Sequence, residues 1–502
     1  MRKTTFILPV PNAFAGLNET LKSIFAQCGE EDQIICLVDS SGYNLLRESA
    51  ARDCTSALFI ESDFKSEHAG SILNRGIALS DGDAVFLITQ PVILLPGLVV
   101  NYMKYLYSKE SIGYVYGNYI EERAEGEEAV MAKTDNFDYS EASLIGPVHA
   151  MRREVFDATG YYDSGLRCSF DYDLRLRIFE RFEIVRVEEP LYRVLYAPVN
   201  PGLTGPANTD RSYLDYSQEE EDEYRGACYA SLKRRGAFLS GPSVRATEGT
   251  SKDPAGPEIS VVIPLYNRGK YIGRTIESVL KSEWKRYEII IVDNGSTDGG
   301  FEAASKYTGR GDITVLRSEI ACNTAAALNT GLRHARGKYI CQLDSDDLYT
   351  SDALSIMYDY MESNPGFALG VSYYDCIGPD DNVLEGYCVV KHGEYDRNNI
   401  LRTDGVGAAR IWRRTVLEEM NGFDEINLGS YAEDYDLVLR VTEKYDILRI
   451  PYVLYHYRIN YKEIGEETDY ILRHEKKTFA RRSAIKRRQM INGSLSRVRL
   501  EK

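Results

Sequence analysis

Tyr339-Ile-Cys-Gln-Leu-Asp-Ser-Asp-Asp347 decides the fold. Its apolar first half, Tyr339–Leu343, is predicted to be a buried strand. Its second half crowds Asp344, Asp346 and Asp347 onto one turn. Upstream, Ile259–Pro264 reads as another strand and Tyr271–Leu280 has apolar residues at helical spacing. Tyr287–Val292 is a third strand, and Asp293 ends its apolar run. Strand–helix–strand alternation predicts an α/β fold around a mostly parallel sheet covered on both faces. Ligands should then bind beyond the carboxyl ends of the strands. Tyr266, Asn267, Asp293 and the Asp344–Asp347 turn all fall there.

The same pattern occurs twice. FILPVPN around Pro9 returns as VVIPLYN around Pro264, 255 residues later. IICLVD ending at Asp39 matches IIIVD ending at Asp293, and Asn74-Arg-Gly matches Asn329-Thr-Gly. MRREVFDATGYYD from Met151 matches WRRTVLEEMNGFD from Trp412, and FDYDLRLR from Phe170 matches EDYDLVLR from Glu433. EEDEY near Glu220 faces EETDY near Glu466. Ordered blocks at nearly constant spacing read as a tandem duplication. A Gly-, Pro- and Ser-rich strip without apolar period marks the join. Residues 1–240 are therefore expected to form one domain, 241–257 a linker and 258–502 a second domain.

The 502 residues suffice for two or three domains, and 43% hydrophobic with 27% charged residues is a globular balance. A net charge of −16 excludes a chain that binds nucleic acid over its whole surface. The 37 Tyr against 16 Phe and 2 Trp suit sugar or nucleotide surfaces and equally suit half-buried packing. Nine scattered Cys without a CxxC pair read as buried thiols of a reducing, cytoplasmic compartment. Ala84–Val100 is the most membrane-like stretch, but Pro91 and Pro96 interrupt it. It is expected to be a buried strand, a loop and a helix start.

Neighbouring carboxylates raise one another's proton affinity, so the Asp344–Asp347 turn needs compensation. A divalent cation that also binds a diphosphate would supply it; a solvated acidic loop capping a helix is the plainer alternative. Glu433-Asp434-Tyr-Asp436 opens a second carboxylate cluster at a helix start. Some of its members are expected to be caps or an ordinary Asp436–Arg440 pair. Another is expected to serve as a general base.

The ordered run VVIPLYN, IIIVDNGSTD, NTGLRHARGKYICQLDSDD, GFDE and EDYDLVLR resembles family 2 glycosyltransferases with the GT-A fold, over nearly all of residues 258–460. The resemblance implies two tandem GT-A domains, each with a C-terminal helical extension. It implies an inverting transfer from a nucleoside-diphosphate sugar, UDP-linked by default, to an acceptor hydroxyl, with Mn2+ or Mg2+ as cofactor. The donor sugar would be a hexose or N-acetylhexosamine, and the setting polysaccharide or glycoconjugate biosynthesis. Tyr266 and Asp293 match base-holding positions, with Pro264, Asn267 and Asn294 beside them. Asp344 matches the ribose-side carboxylate and Asp346 the metal ligand. Asp434 matches the general base, with Glu433 shaping the acceptor site, and His456 is a candidate further metal contact. Asn294 and Leu328 depart from the frequent Asp and Arg of the family, which leaves Arg268 or Lys270 to contact phosphate. No QxxRW motif follows Asp434, which argues against a processive synthase.

In the first copy Thr89-Gln90-Pro91-Val92 replaces the acidic turn, so that copy is expected to be noncatalytic, serving acceptor recognition, support or homo-oligomerisation. The last 30 residues carry 11 Lys and Arg against Glu475 and Glu501. They are expected to form a helix on the acidic body or a peripheral contact with anionic lipid at the inner membrane face. The acceptor is expected to be a glycan, a lipid-linked oligosaccharide or a peptide. A noncatalytic carbohydrate-binding scaffold and a sugar-nucleotide nucleotidyltransferase are the rival readings. The second lacks the Gly-rich phosphate loop it needs after the first strand.

Overall fold

The computed structural model describes residues 2–11, 16–40, 57–122, 128–131, 139–140, 145–195, 216–247, 249, 251, 255–318, 323–384, 389–391, 393, 396–459 and 467–493. Two compact units divide the chain, Met1–Arg235 and Gly236–Lys502.

In the second unit, β1 (Ile259–Leu265) leads through α1 (Ile272–Leu280) to β2 (Tyr287–Asp293), and α2 (Gly300–Ser305) leads to β3 (Ile313–Arg317). Then come α3 (Thr324–His334), β4 (Tyr339–Gln342), β5 (Leu348–Tyr349), α4 (Ala353–Ser363), β6 (Leu369–Ile377) and β7 (Arg410–Arg413). The unit closes with α5 (Arg414–Glu419), α6 (Glu433–Thr442), β8 (Ile447–Arg458) and α7 (Glu467–Ile491). The sheet runs β3-β2-β1-β4-β7-β6-β8-β5. β1 pairs in parallel with β2 and β4, while β7 lies antiparallel to β4 and β6. Every residue of β2 is buried, as expected of a strand covered on both faces. Glycine permits the closest approach of helix to sheet: a Cβ on Gly331 of α3 would stand 2.3 Å from Val262 of β1.

The first unit's main sheet runs Glu183–Val187, Ile112–Gly117, Val148–Arg152, Ala84–Ile88, Thr4–Val10, Gln33–Val38, Ala57–Glu61. This is the order of β8-β6-β7-β4-β1-β2-β3, and Val148–Arg152 is again antiparallel to both neighbours. A second, four-stranded sheet flanks it. The α/β class is as expected. Ala84–Val100 contains buried strand Ala84–Ile88, short strand Val92–Leu94 and the start of helix Leu98–Leu106. Among the described residues no helix is long and apolar enough to cross a membrane.

Repeated motif residues do the same structural work in both units. The Asn329 side-chain amide donates to Phe423 O at 2.9 Å and accepts from Phe423 N at 2.9 Å; Asn74 does the same to Tyr162 at 2.8 and 3.0 Å. Arg440 binds Asp436 at 2.7 Å and the Met420 and Gly422 carbonyls, and Arg177 binds Asp173 and the Thr159 and Tyr161 carbonyls likewise. Asp436 is thus part of a staple, as the plainer reading of that cluster held.

The strip expected to be a free linker lies, over its described residues, on the second unit. Val244 N donates to Lys444 O and Ala246 N to Gly366 O, both at 2.8 Å. Backbone donors that a flexible linker would give to water are satisfied here by the protein. The basic helix α7 packs inward as well. Arg481 and Arg488 are buried, Arg487 pairs with Glu443 at 2.8 Å, and Lys477 pairs with Asp404 at 2.9 Å. Arg473, Arg482 and Lys486 remain exposed.

Candidate active site

The acidic turn after β4 is held from three sides. Thr275 Oγ1 of α1 donates to Ser345 O at 3.0 Å, and Arg458 Nε of β8 donates to Asp346 O at 2.6 Å. Asp347 points inward and accepts from Tyr455 Oη at 2.6 Å and Arg458 N at 2.7 Å. Burial, reinforced by Asp346 and Asp344, pushes its carboxyl far above the usual range. Asp347 is therefore an anchor, and Asp344 and Asp346 are the carboxylates left for a ligand. Burial, then the Asp346 charge, pushes Asp344 up to about 6. Asp346 receives Arg268 Nε at 2.9 Å.

The ends of β1 and β2 form the floor beside this turn. Tyr266 follows β1 and is 52% exposed, an aromatic face open to stacking. Asn267 adopts a left-handed φ of 50°; its N donates to Ser296 Oγ at 3.0 Å and its Oδ1 accepts from Thr297 N at 2.9 Å. Pro264 pairs with Val292 in register, and buried Asn294 donates its N to Leu265 O at 2.7 Å. Asp293 is wholly buried, and Oδ1 accepts from Ser296 N at 3.3 Å. Its Oδ2 lies 3.5 Å from Arg317 Nε yet receives no hydrogen bond among the described residues.

The second carboxylate cluster opens α6. Ala432, in a left-handed φ of 61°, turns the chain so that Glu433 and Asp434 begin the helix. Asp434 Oδ1 accepts its neighbour's N–H, from Tyr435, at 2.7 Å, and Oδ2 accepts from Arg410 Nη2 at 2.7 Å. Burial opposes ionisation of Asp434, but Arg410, the Tyr435 N–H and Lys477 outweigh it and hold the carboxyl below its usual range. Glu433 is buried and faces Asp434 and Asp344, so burial first and then those charges push it well up. The two carboxyls are thus pushed in opposite directions, Asp434 towards its charged form and Glu433 towards its protonated form. Arg410 connects the two clusters: Nη1 lies 3.5 Å from Gln342 Oε1, and Gln342 Nε2 lies 3.5 Å from Asp344 Oδ1.

Arg410 was not legible in the sequence. Its position depends on the β4–β7 register, which places it opposite Gln342. In the first unit His149 occupies the same register position, opposite Leu87, and Asp171, matching Asp434, pairs with Arg175 at 2.8 Å. His456 Nδ1 bonds Asp375 Oδ1 at 2.5 Å, and the residue lines a pocket of about 610 Å3 with Arg274, Lys281 and Asp381. Among the described residues no three His, Cys, Asp or Glu side chains group into a set that could hold a metal.

Residues 260–420 match the family model described as glycosyl transferase family 2. That span contains Tyr266, Asp293, Asp344, Asp346 and Arg410 and ends before Glu433. An uncharacterized glycosyltransferase of Rickettsia conorii is 28% identical over 478 residues, covering 88% of this chain and 77% of that protein. The glycosyltransferase GlyG of Streptococcus pneumoniae is 34% identical over 125 residues, 25% of this chain and 42% of that one. The structure of S. aureus TarS in complex with UDP-GlcNAc is similar at 21% identity and a TM-score of 0.35, covering 40% of this chain and 59% of that one. Residues 260–420, which carry the strand ends and the acidic turn of the second unit, are a glycosyl transferase family 2 domain.

Proposed function

We propose that the second unit carries the active site of an inverting, metal-dependent glycosyltransferase that takes a nucleoside-diphosphate sugar, by default UDP-linked, as donor. The observation that carries this reading is the division of labour between two carboxylate clusters joined by Arg410. One cluster, Asp344 and Asp346, presents oxygen donors at a strand end. The other sets Asp434, held towards its charged form by Arg410, beside Glu433, which burial pushes towards its protonated form.

Asp344 and Asp346 suit a hard divalent cation: the donors are oxygens, and Asp346 already binds a cationic group, Arg268. Two carboxylates are the share a protein contributes when substrate phosphates and water complete the shell. Mn2+ or Mg2+ bound there would neutralise charge developing on the leaving diphosphate. Tyr266 offers a face for the base, and Asp293, ending β2 beside it, matches a base-holding position by the family resemblance. Asp434 accepts the proton of the acceptor hydroxyl as that oxygen forms its bond to C1. The bond from C1 to the diphosphate breaks on the opposite side, and the nucleoside diphosphate leaves with the electron pair. Arg410 holds the Asp434 carboxylate ionised and oriented until the proton arrives.

The acceptor is a glycan, a lipid-linked oligosaccharide or a peptide. The first unit keeps the strand order and the Asn74 and Arg177 staples but lacks the carboxylate turn. This supports a duplicated scaffold that binds or supports without transferring sugar. Thermal unfolding with UDP, GDP, dTDP and CDP, each with and without Mn2+, tests the reading. A ligand that binds only the folded state raises the melting temperature by mass action. One nucleotide should stabilise the wild type in a Mn2+-dependent way and fail to stabilise Asp346→Ala. Flat traces with every nucleotide would contradict the reading.

A further inference from the structure

Helix α7 reaches both of the segments between which the Arg410–Asp434 ion pair is strung. On α6, Arg481 Nε donates to Tyr435 Oη at 3.2 Å, one residue beyond Asp434, and Arg487 pairs with Glu443 at 2.8 Å. On the segment leading into β7, Arg488 Nη2 donates to Arg397 O at 2.6 Å, and Lys477 Nζ lies 2.9 Å from Asp404 Oδ2. Tyr435 ties the two segments together by donating its Oη to Ile400 O at 2.6 Å. Lys477, Arg481 and Arg488 follow one another at helical spacing on the side of α7 that also buries Ala484 and Ile485.

Asp404 gives Lys477 its importance. It stands two residues before Val406, whose carbonyl accepts Arg410 Nε at 3.2 Å. Burial opposes the charge of Arg410, and the carboxylates of Asp434, Asp344 and Asp404 outweigh it. Arg410 Nη2 is bonded to Asp434 at 2.7 Å, so Asp404 competes for a guanidinium that Asp434 holds. The Asp404 side chain is 20% exposed and that of Lys477 13%. A carboxylate so deep in the protein is stable in its charged form only beside a cation, and Lys477 supplies one. Without Lys477, the Asp404 charge would act on Arg410 uncompensated and draw it away from Asp434.

We propose that Lys477 is a positioning residue for sugar transfer: it neutralises Asp404, so that Arg410 stays on Asp434 and keeps that carboxylate oriented towards the acceptor hydroxyl. This rests on the reading of Asp434 as the general base. Lys477 acts on the orientation of the base through two intervening side chains and leaves the donor side of the site untouched.

Steady-state transfer by the full-length protein, followed as release of the nucleoside diphosphate, tests the proposal. Lys477→Met should lower kcat about 10–100-fold, the cost of a misplaced catalytic group, with the donor KM unchanged. Lys477→Arg, which keeps the cation, should stay near the wild-type kcat. Adding Asp404→Asn to Lys477→Met removes the competing carboxylate and should restore most of the lost kcat. Lys486→Met, on the exposed side of the same helix, should transfer at the wild-type rate. A wild-type kcat in Lys477→Met would overturn the proposal. So would a loss that Asp404→Asn does not reverse, because it would mark Lys477 as acting by another route. Asp434→Asn assayed beside them separates this proposal from the reading beneath it. A normal rate in Asp434→Asn removes the general-base reading and the proposal together, whereas a slow Asp434→Asn with a normal Lys477→Met removes the proposal alone. The double variant leaves Asp404 no charge to compensate, so it decides the matter if Lys477→Met alone does not fold. Transfer by the folded double variant as slow as that of Asp434→Asn would again overturn the proposal.

Discussion

Arg410→Gln removes the cation from a mostly buried ion pair and keeps a polar side chain of similar reach. Breaking a fully buried pair costs about 3–5 kcal/mol, because the remaining charge is left without a partner. Asp434 is 30% exposed, so water recovers part of that. The expected cost at pH 7 is about 1–3 kcal/mol. For a unit of this size that corresponds to a fall in melting temperature of roughly 3–9 °C. The pH dependence identifies the cause. In the wild type the Asp434 carboxyl is held below its usual range, so its contribution to stability is full above the unfolded value of about 3.9. That contribution is lost as pH falls through the folded value. In the variant the same carboxylate faces Glu433 and Asp344 without its cation, and its proton affinity rises. The gap between wild type and variant should therefore be widest near neutrality and narrow as pH falls and Asp434 takes up a proton. The acid limb of the transfer rate should move to higher pH in parallel. Melting curves across the pH range measure the first effect and initial rates the second. A gap of constant size at all pH values, or no gap, would refute the electrostatic role given to Arg410.

Asn329→Ala should lower stability by about 1–3 kcal/mol in chemical denaturation, because Phe423 N and O and Glu425 lose their partner in the core. Asn74→Ala should have a similar effect on the first unit through Tyr162 and leave sugar transfer by the second unit intact. Gly331→Ala should cost about 1–3 kcal/mol by forcing α3 away from Val262, read from the same denaturation curves. In α7, Arg482→Ala and Lys486→Ala should change the melting temperature little. Arg488→Ala, which removes a wholly buried guanidinium bonded to Arg397 O, should lower it by several degrees. Similar effects at all three α7 positions would contradict the inward-facing role assigned to that helix.

The parts of this protein that could be read from its sequence are those that both copies share. Asn74 and Asn329, or Arg177 and Arg440, recur because each closes the same loop by the same bonds, and a local pattern suffices to find them. The strands were legible because burial on both faces demands unbroken apolar runs such as Ile289–Val292. The acidic turn stood out by contrast with Thr89–Val92. Arg410 was invisible because its role depends on lying opposite Gln342 across a strand pair and reaching α6, contacts between residues far apart in the chain. The anchoring role of Asp347 was not legible, since only the fold brings Tyr455 and Arg458 to it. The basic C-terminus was read as a helix on the acidic body or a lipid contact, and Asp404, Asp436 and Glu443 draw its described residues inward. The bond from His456 to Asp375 was likewise not legible, because it joins neighbouring strands far apart in the chain.

The most direct test compares sugar transfer by wild type, Asp434→Asn and Asp171→Asn, with the donor found by thermal unfolding and transfer followed as release of the nucleoside diphosphate. Loss of a general base slows the chemical step by about 10²–10⁴-fold. Asp434→Asn should show a loss of that order while still binding the donor, and Asp171→Asn, in the first unit, should transfer at the wild-type rate. Normal transfer by Asp434→Asn, or a matching loss in Asp171→Asn, would contradict the placement of catalysis in the second unit.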